Sequence, residues 1–249
     1  MTHYVYWLRG KEFVDMARLS MKSVRRIDPK AKFDVYTDDP ANTPRMGERD
    51  VAWYELPAGR PPMVANLDAQ IAALNHLIQG EQVLFLDADI IMRKPFPFTL
   101  LPHIYVTYRN EVKYLEGGEV KEADPDMVML QPYNYGVLGC HVRPEVIEAF
   151  YWLRARVLAM NARNQMWFGN QLALAELVGV APKGGDEFDK SVRIRWAPLD
   201  NGTELNVRQL PCTMWNYSPN SKDEDVSLRG ILHLKGERKD LMKHYAEAA

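Results

Sequence analysis

The sequence has only two cysteines, Cys140 and Cys212, in 249 residues. Two thiols without zinc-finger spacing exclude a disulfide scaffold and a cysteine-built metal site. They are expected to be reduced and buried. Long apolar runs are missing too. None approaches the roughly 20 residues of a membrane-spanning helix, and no secretory leader opens the chain. A cytoplasmic protein is the expectation. An excess of one charge is also missing: 31 lysines and arginines meet 33 acids, for a net charge of −2. That balance gives no broad attraction for nucleic acid, although a local basic patch stays open. There is no internal repeat, no low-complexity tract and no glycine-rich phosphate loop after the first strand.

What is present is a globular composition and enough length for one large α/β domain. The reading is a single domain over 1–249, globular from near Thr2 to about Tyr245, with His233 to Lys239 as its last ordered element. Its first half, 1–92, is of nucleotide-binding type. A strand is predicted at His3 to Leu8, a helix from about Glu12 to Arg26, and a second strand at Phe33 to Thr37. This order is a right-handed crossover unit of a parallel sheet, which binds ligands at the carboxyl ends of its strands. Asp38 and Asp39 sit at one such end, as turn formers or as contacts to a ribose or base. A weaker strand follows at Val51 to Leu56. A loop at 57–62 then leads to a helix opened by Asn66 or Asp68 and closed by Gly80.

The stretch Val83 to Ile91 carries the sharpest signal. Four apolar residues read as a strand buried on both faces, and it ends in Asp87-Ala88-Asp89. Carboxylates at the end of a buried strand must be paired, protonated or metal-bound, because desolvating them costs several kcal/mol. In an extended chain both would project to one side. Two hard oxygen donors there suit Mg²⁺ or Mn²⁺; capping of the strand in solvent is the plain alternative.

In the second half, 93–249, strands are expected at Ile104 to Tyr108, Tyr133 to Cys140 and Val192 to Trp196. Helices are expected from Pro144 and from Asn170-Gln171. The polar segment from Asn110 to Gln131 is a lid, an acceptor loop or an exposed hairpin. Gly136 and Gly139 mark either a close ligand approach or a bulge. Met160 and Met166 are read as packing. Arg154, Arg156, Arg163, Lys190, Arg193 and Arg195 form a basic groove or an ordinary solvated face.

Four pieces occur in order: Leu84-Phe85-Leu86-Asp87-Ala88-Asp89, Tyr133-Asn134-Tyr135-Gly136-Val137, Asn170-Gln171, and His233 to Lys239. Together they resemble the family 8 glycosyltransferases, retaining enzymes of GT-A fold related to glycogenin and to bacterial lipopolysaccharide galactosyl- and glucosyltransferases. The resemblance implies a Rossmann-like, mainly parallel sheet flanked by helices, with a smaller acceptor-side sheet. It implies a UDP-sugar donor, Mn²⁺ or Mg²⁺ held by Asp87, Asp89 and His233, and Gly236 and Lys239 over the diphosphate. Asn134 and Gly136 would meet the sugar, Gln171 would lie near the reacting carbon with Asn170 beside it, and Ala88 would adjoin the donor. Tyr4, Tyr6 and Trp7 would lie against the base and ribose, with Asp38 near them. The chain departs from the family at Asn170, where an aspartate is usual, and at Asp240-Leu241, where Pro-Trp is usual. The helix before Asp87 lacks the customary arginine, for which Arg9 or Arg60 could substitute. The basic, aromatic membrane-docking tail is absent too.

The expected function is transfer of glucose or galactose to an acceptor hydroxyl. The acceptor is open between a glycan, a protein, a small molecule and a modified nucleobase. A nucleotidyltransferase and a non-catalytic nucleotide-sugar binder are the rival readings.

Overall fold

The computed structural model describes residues 1–100, 103–109, 113–116, 119–122, 132–179, 190–195 and 204–248. Four parallel strands come first: β1 (Thr2–Trp7), β2 (Lys32–Thr37), β3 (Val51–Glu55) and β4 (Gln82–Leu86). Their spatial order is β3-β2-β1-β4. Parallel neighbours need crossovers, and two helices supply them. Helix α1 (Lys11–Ile27) buries Val14, Ala17, Met21 and Val24, a stripe spaced by three or four residues. Helix α2 (Pro62–His76) starts earlier than the sequence suggests. Pro62 sits in its first turn, where a missing N–H costs nothing. Asn66 and Asp68 are therefore inside the helix and do not open it.

After β4 the chain makes β5 (Ile90–Met92), β6 (Ile104–Tyr108), the hairpin β7 (Lys113–Glu116) and β8 (Glu119–Glu122), and then β9 (Tyr133–His141). A hairpin is thus present within the acidic segment, the rest of which lies outside the described residues. Helices α3 (Pro144–Leu158), α4 (Ala162–Met166) and α5 (Gly169–Val178) follow. Strands β10 (Lys190–Arg195) and β11 (Glu204–Pro211), the short helix α6 (Cys212–Trp215) and β12 (Ile231–His233) complete the sheets. Trp196 and the side chains of Lys190, Arg193 and Arg195 lie outside the described residues. Strand β9 runs antiparallel between β4 and β6, giving one mixed sheet in the order β10-β11-β6-β9-β4-β1-β2-β3.

Both faces of this sheet are covered. Strand alternation sends Tyr4 and Tyr6 into the core under α1, and Val5 into the core under α2, α3 and α5. A third cluster, with Ile91, Leu232, Leu234 and Tyr245, lies under helix α7 (Met242–Ala248). The fold thus runs past the His233 to Lys239 motif to Ala248, a few residues beyond the Tyr245 limit read from the sequence. Arg26 Nη1 fixes this last helix by donating to the carbonyl of Ala246 at 2.5 Å.

A separate two-stranded sheet positions the site. Strands β5 and β12 pair antiparallel, with His233 opposite Ile90 and Ile231 opposite Met92.

Candidate metal centre and its surroundings

Asp87 and Asp89 lie in the turn between β4 and β5, not in an extended strand. The turn, rather than strand alternation, brings their carboxylates together. The Asp87 N–H donates to the Gly136 carbonyl at 3.0 Å, and the Leu234 N–H donates to the Asp89 carbonyl at 2.9 Å. These two bonds tie the turn to β9 and to the end of β12.

His233 Nε2 is 3.0 Å from Asp89 Oδ1 and 3.5 Å from Asp87 Oδ2. All three ligand atoms lie within 4.8 Å of one another. An octahedral ion with bonds of about 2.1 Å sets neighbouring ligand atoms about 3 Å apart, so the three donors fit one divalent cation. Asp89 and His233 are buried, whereas the Asp87 side chain is 48% exposed. The triad is thus closed beneath and open above.

A hydrogen-bond chain fixes the imidazole. Thr107 Oγ1 donates to the Asn134 carbonyl at 2.9 Å, since a carbonyl can only accept. The hydroxyl must then accept from Asn216 Nδ2, at 2.8 Å. That orients the amide, so Asn216 Oδ1 faces His233 Nδ1 at 2.8 Å and accepts its proton. Nε2 is left with its lone pair toward the two carboxylates, the tautomer a metal ligand needs.

Gly136 makes the room. A Cβ at this position would stand 2.1 Å from His233 Cε1 and 2.8 Å from Asp87 Oδ2. The pairing of β6 with β9 also slips between Val106 and Thr107. Asn134 Oδ1 accepts from the Gly136 N–H at 3.2 Å within this bulge. The bulge reading of Gly136 applies, and the room it leaves is taken by the His233 and Asp87 side chains. Gly139 instead makes space for Phe96 and Phe98.

The charges favour a bound cation. Burial raises the carboxyl pKa of Asp87, and the neighbouring Asp89 adds to the rise. Because the Asp87 side chain is half exposed, water screens the burial effect, and the repulsion between the carboxylates is the firmer cause. At Asp89 burial acts upward too, but His233, Lys239 and Lys235 outweigh it and hold the carboxyl low. Lys235 is itself pushed down to about 8 by burial and by Arg109 nearby.

Gln171 sits in the first turn of α5. Its Oε1 accepts from Arg109 Nη2 at 3.0 Å. Asn170 is buried, and its Oδ1 accepts from the Gln171 N–H at 2.9 Å. Phe168, at the helix cap, has φ 66°, the left-handed region, and is the one non-glycine residue so placed among the described residues.

Other residues singled out in the sequence divide by face. Trp7 lines a cleft with Asp87. Tyr4 and Tyr6 do not reach it, which corrects their assignment to the base and ribose. They point under α1, where Tyr6 is fully buried with its hydroxyl 2.9 Å from Ser20 Oγ, and Tyr4 donates to Asp28 at 3.3 Å. Asp38 is 3% exposed and receives Trp7 Nε1 at 3.1 Å and the Arg9 guanidinium. In this structure it ties β1 to β2. Ala88 is buried in the α1-side core. Gly236, with φ 56°, opens the 3-10 turn Gly236–Leu241. The Lys239 ammonium lies over the Phe13 ring at 5.2 Å. Arg154 pairs with Asp68, and Arg156 with Glu176 at 2.6 Å, so two members of the suspected basic groove are neutralised locally.

Asn216, Arg109 and Lys235 were not singled out for a role in the sequence. Lys235 had a signal, its place in the His233 to Lys239 segment. Asn216 and Arg109 had none, because each acts through a partner far away in the chain.

No protein-family profile matches the sequence, and no curated protein matches it. Solved structures do match. One is a glycosyltransferase involved in glycosylation of the major capsid of PBCV-1, with TM-score 0.55 at 13% identity over 100% of this chain and 99% of that one. The galactosyltransferase LgtC, in complex with donor and acceptor sugar analogues, matches with TM-score 0.52 at 13% identity over 99% of this chain and 95% of that one. The bifunctional glycosyltransferase WbbM matches with TM-score 0.56 at 12% identity, this chain spanning 49% of its length. Among the described residues no helix is long and apolar enough to cross a membrane. The mixed sheet, its helical layers and these neighbours establish that the chain has the GT-A glycosyltransferase fold.

Proposed function

We propose that this protein is a metal-dependent glycosyltransferase that moves a hexose, glucose or galactose, from a UDP-sugar to an acceptor hydroxyl. The observation that carries the reading is the triad of Asp87, Asp89 and His233, with His233 Nε2 turned toward both carboxylates. These three residues would hold the ion, and an imidazole beside two carboxylates favours Mn²⁺ over Mg²⁺. Such an ion, when bound, offsets the negative charge that grows on the departing diphosphate.

The chain's own residues do the rest. Lys235 and Lys239, both close enough to bias Asp87 and Asp89, add positive charge where the diphosphate leaves. Gln171, held by Arg109, offers its amide N–H₂ near the anomeric carbon, with Asn170 and Asn134 as supporting polar groups. Asp87 and Asp89 are committed to the ion, so no carboxylate is assigned as a nucleophile of the kind retaining glycosidases use. Attack of the acceptor from the face the diphosphate leaves gives retention. The local pairing of Arg154 and Arg156 weakens the case for nucleic acid as acceptor.

The test is UDP release from a panel of UDP-sugars, with Mn²⁺ and with a chelator, by the wild type and Asp89→Ala. Release that needs the metal and is lost in the variant is expected. Release of pyrophosphate instead would make the protein a nucleotidyltransferase. Binding of UDP with Mn²⁺, but no turnover and no slow donor hydrolysis, would make it a nucleotide-sugar binder.

A further inference from the structure

The exposed apolar side chains of this protein are not scattered. Ten large ones are exposed among the described residues, and five of them, Tyr151, Leu158, Met166, Trp167 and Phe168, fall between positions 151 and 168. Single exposed apolar residues are ordinary, but a cluster of them marks an interaction site. This cluster occupies the corner where α3 ends, α4 passes and α5 begins. Tyr151, Ala155 and Leu158 are exposed and spaced by four and three residues, so they share the outer face of α3. Trp167 is 63% exposed, and the left-handed backbone at Phe168 carries the chain into α5 with both rings in solvent.

Close packing holds the corner. Gln165 Nε2 donates to the carbonyls of Leu158 and Met160 at 3.0 and 2.8 Å, which ties α4 to the end of α3. A Cβ on Gly169 would stand 2.4 Å from the Asn164 carbonyl oxygen and 3.2 Å from Val157 Cγ1, so α5 starts in contact with both neighbours. Strand β9 runs away from the triad, from Gly136 to His141, and a two-residue turn sends α3 back along it. The apolar corner therefore lies at the same end of the molecule as the triad.

Charge selects the partner. No aspartate or glutamate occurs between Glu148 and Glu176, whereas Arg154, Arg156 and Arg163 all do. Glu176 holds Arg156, and Asp68 is shared between Arg154 and Arg60, the latter at 4.0 Å, so one acid meets two guanidiniums. Arg163 is exposed and has no ion pair among the described residues. An aromatic and aliphatic face with surplus arginine suits an anionic lipid surface. Tryptophan rests at the level of the headgroups, leucine and methionine enter the acyl boundary, and arginine meets phosphate. A second copy of the chain fits less well, because a two-fold contact would set one acid-free, arginine-bearing face against another. A soluble glycan would need carboxylates for its hydroxyls, and this stretch supplies none.

We propose that the corner formed by Leu158, Met166, Trp167 and Phe168, with Arg163, docks this protein on the surface of an anionic lipid bilayer. The contact is peripheral, and it turns the triad end of the molecule toward the lipid. It stands apart from the nucleotide-sugar reading, since docking needs neither donor nor metal.

The experiment is cosedimentation of the full chain with vesicles of phosphatidylcholine, and with vesicles of equimolar phosphatidylcholine and phosphatidylglycerol. Wild type, Trp167→Ser, Arg163→Gln and Ile78→Ser are compared, Ile78 being an exposed apolar residue outside the corner. Wild type should bind the anionic vesicles more tightly than the neutral ones. Trp167→Ser should lose about 10-fold on both, the worth of burying much of one large apolar side chain. Arg163→Gln should lose about 5-fold on the anionic vesicles alone. Ile78→Ser should bind as the wild type does. All three changes fall on exposed side chains, and circular dichroism melts check that each variant folds. Absence of wild-type binding to anionic vesicles would overturn the inference, as would losses in Ile78→Ser equal to those in Trp167→Ser, or binding that both corner variants leave intact. A dimeric wild type with a monomeric Trp167→Ser would make the corner a self-interface instead. Oligosaccharides that quench tryptophan emission in the wild type but not in Trp167→Ser, without vesicle binding, would make it a glycan platform.

Discussion

Arg109 donates from Nη2 to Gln171 Oε1 at 3.0 Å, and this contact decides which end of the Gln171 amide is left for a ligand. Arginine has no acceptor, so the atom facing it must be the amide oxygen. Gln171 therefore offers N–H₂, a hydrogen-bond donor, and its oxygen is engaged. A Gln171→Glu enzyme keeps the shape and the Arg109 contact but loses the donor. It should fall in turnover as far as Gln171→Ala does, about 100–1000-fold, the range for removing one donor to a developing charge. If the glutamate enzyme kept full turnover, the amide N–H₂ would have no part in the reaction.

Asn216 should control ion affinity without touching the ion. Asn216→Ala removes the acceptor of His233 Nδ1–H, while Thr107 Oγ1 keeps its bond to the Asn134 carbonyl, and it frees the ring to turn or change tautomer. Mn²⁺ affinity should drop about 10–100-fold, the usual cost of losing an outer partner of a metal-bound histidine. Asn216→Asp retains an acceptor for Nδ1 and should lose less. Direct Mn²⁺ titration by electron spin resonance measures both. Equal affinities in all three proteins would mean that the amide does not orient the ring.

Gly136→Ala puts a methyl group where the triad already is. Its Cβ would be 2.1 Å from His233 Cε1 and 2.6 Å from Nδ1, and neither ring nor strand can absorb that without displacement. Overpacking of this kind costs about 1–3 kcal/mol. Thermal melts with and without Mn²⁺ should show a lower midpoint and loss of the metal-induced rise. A variant that still gains stability from Mn²⁺ would show that His233 is not needed for the ion.

Stability should depend on pH through His3, far from the site. The hydrogen bond that His3 Nδ1–H donates to Asp34 Oδ2 at 3.0 Å raises the His3 pKa above 6.5 against the opposing effect of burial, and Glu81 assists. The folded pKa exceeds the unfolded one, so this contribution is complete below 6.5 and is lost as pH rises through the folded value. The melting temperature of the wild type should fall across that window, and that of His3→Gln should fall less. Parallel profiles would assign the pH dependence to other groups.

Much of this molecule could be read from its sequence. Runs of β-forming residues located β1, β2, β6 and β9, and period-3.6 apolar spacing located α1 and α3, within a residue or two, because each element buries a continuous face. The order of Asp87, Asp89 and His233 was legible through family resemblance. Two things were not. Which face of β1 looks toward the cleft depends on what packs above it, so Tyr4, Tyr6 and Trp7 looked alike as a run of aromatics although only Trp7 lines the cleft. The start of α2 was hidden by Pro61-Pro62, which reads as a loop yet serves as a helix cap. The parts played by Asn216 and Arg109 exist only through contacts made across 17 and 62 positions of the chain, and no local pattern announces them.

The pairing of β12 with β5 has a consequence in time. His233 follows Asp89 by 144 residues (233 − 89), yet the two meet across a ribbon of three residue pairs. At about 5–20 residues per second, a ribosome needs on the order of ten seconds to travel that distance. Until β9 and β12 have docked, the two bonds that tie the Asp87–Asp89 turn are unmade and the third donor of the triad is absent. An ion held by all three side chains, on the reading proposed above, would have to wait for β12.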